Sequence, residues 1–452
     1  MDLKRRSIRV LMLPWLAHGH ISPFLELAKK LTNRNFLIYF CSTPINLNSI
    51  KPKLSSKYSF SIQLVELHLP SLPELPPHYH TTNGLPLHLM NTLKTAFDMA
   101  SPSFLNILKT LKPDLLICDH LQPWAPSLAS SLNIPAIIFP TNSAIMMAFS
   151  LHHAKNPGEE FPFPSININD DMVKSINFLH SASNGLTDMD RVLQCLERSS
   201  NTMLLKTFRQ LEAKYVDYSS ALLKKKIVLA GPLVQVPDNE DEKIEIIKWL
   251  DSRGQSSTVF VSFGSEYFLS KEEREDIAHG LELSKVNFIW VVRFPVGEKV
   301  KLEEALPNGF AERIGERGLV VEGWAPQAMI LSHSSIGGFV SHCGWSSMME
   351  SMKFGVPIIA MPMHIDQPLN ARLVEDVGVG LEIKRNKDGR FEREELARVI
   401  KEVLVYKNGD AVRSKAREMS EHIKKNGDQE IDGVADALVK LCEMKTNSLN
   451  QD

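Results

Sequence analysis

Trp324-Ala325-Pro326-Gln327 opens the stretch that decides how this chain folds. It continues through Gly337-Gly338-Phe339-Val340-Ser341-His342-Cys343-Gly344-Trp345-Ser346-Ser347 and closes on His364-Ile365-Asp366-Gln367. The apolar run up to Ser341 reads as a strand that starts on two glycines and ends on His342. Cys343 to Ser347 then turn into a helix that stops at Phe354-Gly355, with Pro357 just beyond. Such a junction leaves first-turn N–H groups without helical partners and places the positive end of a helix dipole beside them. An anion is favoured there, and a pyrophosphate is the obvious candidate. His342, Ser346 and Ser347 add side-chain donors to the same place, and Glu350, on the same helix face, can accept from a ribose diol. The next strand leads to His364–Gln367 at the carboxyl edge, where open α/β sheets bind ligands. Taken singly, Trp324 is an ordinary packing residue and Ser346-Ser347 an ordinary helix cap. The ordered set is what points to chemistry.

Outward from this stretch, strand-like and helix-like segments alternate. In the same half, Thr258 to Phe263, Asn287 to Val292, Leu319 to Glu322, Gly338 to Ser341 and Val356 to Met361 read as strands, with a helix over Lys271 to Leu283. In the first half the strands are Ile8 to Leu13, Asn35 to Ser42, Asp114 to Cys118 and Ala136 to Phe139. Helices cover Ser22 to Leu31, with Pro23 in the first turn, and Pro102 to Leu111. Continuous apolar strands that alternate with helices indicate parallel sheets covered on both faces. The expected architecture is α/β: a domain over residues 1–232, a proline- and acid-rich linker at 233–243, a second domain over 244–428 and a C-terminal helix over 429–452. Ala154 to Gly185 reads as loops around short helices.

Composition narrows the function classes. The chain has 452 residues, 43% of them hydrophobic and 23% charged, and 51 Lys+Arg against 53 Asp+Glu give a net charge of -2. That length supports two hydrophobic cores without disulfide or metal staples. Near-balanced charge excludes a protein held to nucleic acid by bulk electrostatics. The 5 cysteines lie far apart without a CxxC pair, so they build neither a disulfide framework nor a zinc site and suit a reducing compartment. Lys4-Arg5-Arg6 resembles the start of a signal peptide, but the apolar run after it is short and contains Pro14. No run approaches the ~18 apolar residues of a membrane span, and a cytoplasmic location is expected. Absence of GxGxxG, GxxxxGK[ST] and GxSxG argues against a dehydrogenase, a P-loop NTPase and an α/β hydrolase. Asp188-Met189-Asp190 is a literal DxD, but Thr187 ahead of it makes a helix cap the better reading, so no metal is expected. His68, His78, His80 and His88 lie irregularly among prolines and fit a surface loop rather than a metal cluster.

The segment from Trp324 resembles the plant secondary-product signature of family 1 UDP-sugar glycosyltransferases. The match runs through Trp324-Ala325-Pro326-Gln327, His333, Gly337, His342-Cys343-Gly344-Trp345, Ser347, Glu350, Gly355-Val356-Pro357, Pro362 and Asp366-Gln367. The resemblance implies a GT-B fold of two Rossmann-like domains facing across a cleft, with the C-terminal helix returning to the N-domain. It also implies that Trp324 stacks on uracil, Glu350 binds ribose, Ser265, His342, Ser346 and Ser347 hold phosphates, and Asp366 and Gln367 bind sugar hydroxyls. Ala325, Gln327, Gly344 and Trp345 complete the implied donor-binding set. Ser346 departs from the usual Asn of the pattern. Trp345 and Gln367 match glucose-using members, so UDP-glucose is the implied co-substrate, with no cofactor.

The same resemblance assigns the acceptor chemistry. His20, in His18-Gly19-His20-Ile21-Ser22-Pro23, matches the base, and Asp119 at a strand end matches its partner; His18 is a rival that the motif register disfavours. An imidazole near its usual pKa of ~6.5 can take a hydroxyl proton when a carboxylate stabilises the imidazolium. The implied reaction is inverting. Pro14 to His20, His80 to Pro86 and Phe263 to Phe268 resemble the subgroup that extends the sugar of a flavonoid, lignan or triterpenoid glycoside, acting as a monomer on a small-molecule acceptor. An aglycone O-glucosyltransferase and a catalytically silent UDP-sugar-binding protein are the alternatives.

Overall fold

The computed structural model describes residues 7–166, 180–235, 244–295, 300–426 and 429–449. They form two compact units. One holds the chain up to Pro162, the segment ending at Leu233 and the C-terminal segment from Asn426; the other is built on Val234–Lys425, with a short piece that begins at Phe163. Most of the expected linker, residues 236–243, and the last residues of the expected C-terminal helix lie outside the described residues.

The first unit is built on five strands: β1 (Ile8–Leu13), β2 (Phe36–Ser42), β3 (Ile62–Glu66), β4 (Leu115–Cys118) and β5 (Ala136–Ile138). They pair in the order β3-β2-β1-β4-β5, every pair parallel. β4 is buried along its whole length and β1 nearly so, which is why both read as unbroken apolar runs. Two short pairs follow, the hairpin β6 (Ala182–Ser183) with β7 (Leu186–Thr187), and the parallel β8 (Thr202–Leu205) with β9 (Lys226–Leu229). The core under the main sheet contains Val10, Met12, Phe24, Phe40, Ile117 and Phe139. Ile431, Val434, Leu438 and Cys442, from the C-terminal helix Gln429–Leu449, complete that same core.

The second unit carries β10 (Thr258–Ser262), β11 (Asn287–Val292), β12 (Gly318–Glu322), β13 (Ile336–Ser341), β14 (Ile358–Ala360) and β15 (Gly380–Glu382). Their order is β12-β11-β10-β13-β14-β15, again parallel throughout. In both sheets the winding reverses beside the first strand, between β1 and β4 and between β10 and β13. Loops leaving the carboxyl ends of those strands are where such sheets open a ligand crevice. Asp119 leaves β4, Gly264-Ser265 leave β10 and His342 leaves β13.

The structure shifts several expected elements. The first helix runs His18–Thr32 rather than from Ser22, so His20 lies inside its first turn, not before it, and Pro23 lies within the helix. The polar turn His18-Gly19-His20 hides the start from apolar spacing, although the N–H groups of His20 and Ile21 both bond to Ala17 O. β3 and β15 have no counterpart in the sequence reading: β3 fully buries only Ile62, and β15 spans 3 residues. The surface-loop reading fits His68 but not His80, which is 6% exposed. The backbone carbonyl of His80 accepts from Thr43 Oγ1 at 2.7 Å, tying that loop to the end of β2.

Candidate active site

In the second unit the phosphate-binding candidates surround one turn. Cys343 takes a left-handed φ of 65°, and Gly344 then caps the helix Trp345–Phe354. Glycine at the cap has no side chain to occupy the first-turn N–H groups. Ser346 and Ser347 follow at partly exposed positions, and Trp345 is buried among the core side chains. The His342 ring lies between two glycines: a Cβ on Gly264 would come within 2.6 Å of Nε2, and one on Gly344 within 2.5 Å. Loss of hydration, with His364 nearby, lowers the His342 pKa to about 4, so the ring is neutral at pH 7. Ser265 follows Gly264, whose φ is 76° and whose carbonyl accepts from Arg293 Nη1 at 3.2 Å.

Trp324 is 53% exposed, unusual for its size, while Ala325 beside it is buried. Gln327 Nε2 donates to Ser347 Oγ at 3.1 Å and to Glu350 Oε2 at 2.6 Å. Three of the expected donor residues therefore form one network, its carboxylate oriented by an amide. At the far end, Asp366 Oδ2 accepts from Asn370 Nδ2 at 2.9 Å, and the same nitrogen donates to Cys343 O at 3.0 Å. Gln367 is buried: its Oε1 accepts from the N–H groups of Met363 and His364, both at 3.0 Å. Its side chain thus shapes the loop in which Ile365 holds a φ of 60°, a strained value for a β-branched residue. Asn370 and Arg293 were missed by the sequence reading; an Asn within a helix and an Arg at a strand end carry no local signal.

The first unit brings together the two residues expected to form the acid–base pair. His20 Nδ1 lies 2.7 Å from Asp119 Oδ2, and Asp119 is wholly buried. Trp15 N–H donates to the same oxygen at 3.1 Å, and His120 N–H donates to Oδ1 at 2.7 Å. Burial by itself would raise the Asp119 pKa; the charges and hydrogen bonds of His20 and His120 outweigh it and hold the carboxyl well below its ordinary range. Asp119 is a carboxylate at any physiological pH. With Nδ1–H of His20 directed at it, the neutral ring presents its lone pair at Nε2.

The DxD pair is structural. Thr187 Oγ1 accepts from Asp190 N–H at 3.0 Å in a capping box, and Asp188 pairs with buried Lys94 at 2.6 Å. Among the described residues no group of three or more His, Cys, Asp or Glu could hold a metal ion, and no helix is long and apolar enough to cross a membrane.

Comparison with known proteins shows the family. The family model for UDP-glucoronosyl and UDP-glucosyl transferase matches residues 98–409. Mogroside IIIx synthase of Siraitia grosvenorii is 58% identical over 96% of this chain and 93% of its own. Beta-D-glucosyl crocetin beta-1,6-glucosyltransferase of Gardenia jasminoides is 53% identical over 97% of this chain and 100% of its own. The crystal structure of Medicago truncatula UGT71G1 complexed with UDP-glucose superposes with a TM-score of 0.76 at 27% identity, covering 98% of this chain and 99% of that one. On these matches the chain, with its buried His–Asp contact in one unit and its glycine-capped helix end in the other, belongs to the UDP-glucoronosyl and UDP-glucosyl transferase family: it is a plant UDP-glycosyltransferase of the GT-B fold.

Proposed function

We propose that the chain transfers glucose from UDP-glucose to a sugar hydroxyl of a plant specialised-metabolite glycoside, a triterpenoid saponin or a flavonoid glucoside, by a β-1,2 or β-1,6 linkage. The observation that carries the reading is the 2.7 Å contact of His20 Nδ1 with fully buried Asp119. It fixes the tautomer a general base needs. His20 Nε2 takes the acceptor proton, and the freed oxygen attacks the anomeric carbon. The bond from that carbon to the β-phosphate oxygen breaks on the opposite face, and the electron pair leaves with UDP. Configuration inverts without a covalent intermediate, and Asp119 compensates the imidazolium.

On the donor side, Trp324 offers its exposed face to uracil, and Glu350, oriented by Gln327, takes the ribose hydroxyls. Ser265, neutral His342, Ser346, Ser347 and the helix end behind Gly344 hold the diphosphate. Asp366 and Gln367 bind the glucose hydroxyls. No step calls on a metal ion. The glycoside acceptor is supported by the relatives, one named for glucosylating a glucosyl crocetin at a β-1,6 linkage. The setting proposed is the cytoplasm, with the chain acting as a monomer.

Incubation with UDP-glucose and matched pairs of aglycone and monoglucoside tests the proposal. Glucose is expected to appear on the sugar of the monoglucoside, its position read by NMR. Exclusive use of the aglycone overturns the acceptor assignment.

A further inference from the structure

Asp119 serves two imidazoles, and the reaction above uses only one of them. Its Oδ2 takes Trp15 N–H and His20 Nδ1. Its Oδ1 takes the backbone N–H of His120 at 2.7 Å, and the His120 ring stands beside it with Nδ1 2.8 Å away, an electrostatic contact that makes no hydrogen bond. The two ring centroids stand 5.9 Å apart. A nitrogen lone pair that close to a carboxylate oxygen would be repelled, so Nδ1 of His120 carries the proton, as Nδ1 of His20 does. Both rings therefore share one tautomer and one buried charge.

Such sharing matters to a base. A carboxylate with a single imidazole partner favours the protonated ring, and a ring already protonated cannot accept the proton of a hydroxyl. A second imidazole N–H dipole beside the other oxygen draws on the same carboxylate charge and weakens that preference. We propose that His120 is a positioning residue for the base: it occupies the second oxygen of Asp119, fixes the carboxylate, and so keeps His20 deprotonated at neutral pH. This rests on the reading of His20 as the base. Among the described residues, the charge of Asp119 also bears on the thiols of Cys118, on β4, and Cys195, on the helix Asp188–Arg198. Burial raises the pKa of both, so each stays neutral, and Arg198 acts on Cys195. The balance of charge lies between the two rings.

The experiment measures kcat/KM against pH with UDP-glucose and a monoglucoside for the wild type, His20→Ala, His120→Phe and His120→Asn. His20→Ala is expected to lose roughly 10²–10⁴-fold. If it keeps wild-type activity, the base reading fails, and the proposal fails with it. Given that loss, the acid limb of His120→Phe is expected to move up by about one pH unit, with a deficit that shrinks as pH rises. His120→Asn, whose amide nitrogen can take the place of Nδ1, is expected to keep the wild-type limb. His120→Ala replaces the Phe variant if thermal unfolding shows that Phe is not accommodated. An unshifted acid limb, or a loss of equal size at every pH, overturns the proposal and leaves the base reading intact.

Discussion

Gly344 and Gly264 leave His342 so little room that a methyl group on either would press against its Nε2. The two substitutions differ in what they do to the backbone. At Gly344, φ is -61°, which alanine adopts freely, so Gly344→Ala is expected to unfold within about 1 kcal/mol of wild type. Its methyl must displace the imidazole, and the KM for UDP-glucose is expected to rise by about tenfold, the equivalent of one lost hydrogen bond. An unchanged KM would remove His342 from the donor site. Gly264→Ala adds strain, since φ there is 76°, and is expected to lower the unfolding midpoint as well. Residues such as His342, Glu350 and Asp366 were legible because a helix end, a following serine pair and a strand terminus are local patterns. The contacts that orient them were not. Gln327 reaches Glu350 and Asn370 reaches Cys343 across the fold, and His20 meets Asp119 over a separation of 99 residues.

Between elements, a buried acid ties two helices. Glu212 accepts the N–H groups of Ala144 and Ile145, at 2.9 and 2.8 Å, at the start of the helix Ala144–Lys155. It does so from a non-helical backbone of φ -133° inside the helix Arg209–Leu223. Burial pushes its pKa up to about 7, against the opposing hydrogen bonds of Thr207 and the two amides. The folded state therefore keeps a proton that the unfolded chain releases from its ordinary value of 4.5. Stability from this group is full below that value and is lost as pH rises towards 7. Glu212→Gln is expected to flatten this part of the pH dependence of the urea midpoint. It should also cost about 1–3 kcal/mol, because one amide N–H then faces an NH₂ group. A mutant with the wild-type pH slope would refute the assignment. Nothing local marks Glu212 in the sequence, since an acid early in an amphipathic segment normally faces water. Strands buried on both faces announced themselves, whereas the mostly uncovered β3 did not.

Across the whole molecule, both sheets were readable as parallel and doubly wound from the rhythm of apolar runs and breaks. How the chain returns upon itself was read only through family resemblance, because the apolar stripe of a terminal helix does not say which core it joins. The structure places Ile431, Val434 and Leu438 in the first core at 1%, 0% and 0% exposure. At ~1.5–3 kcal/mol for each buried aliphatic side chain, their removal withdraws a large share of the ~5–15 kcal/mol that stabilises a typical domain. A chain ending at Asn426 is expected to lose the cooperative thermal transition of the first unit while that of the second survives. Limited proteolysis should then yield a resistant fragment spanning Val234–Lys425. Equal resistance of both units would show that the helix is dispensable.

The same helix imposes an order on synthesis. Its apolar side chains leave the ribosome only after the whole second unit has been translated, so β1 to β5 are made first yet finished last. Throughout that interval the nascent first unit carries an unfilled apolar groove. The time for which that groove stays open is therefore set by the translation of the second unit as well as by the folding rate of the first.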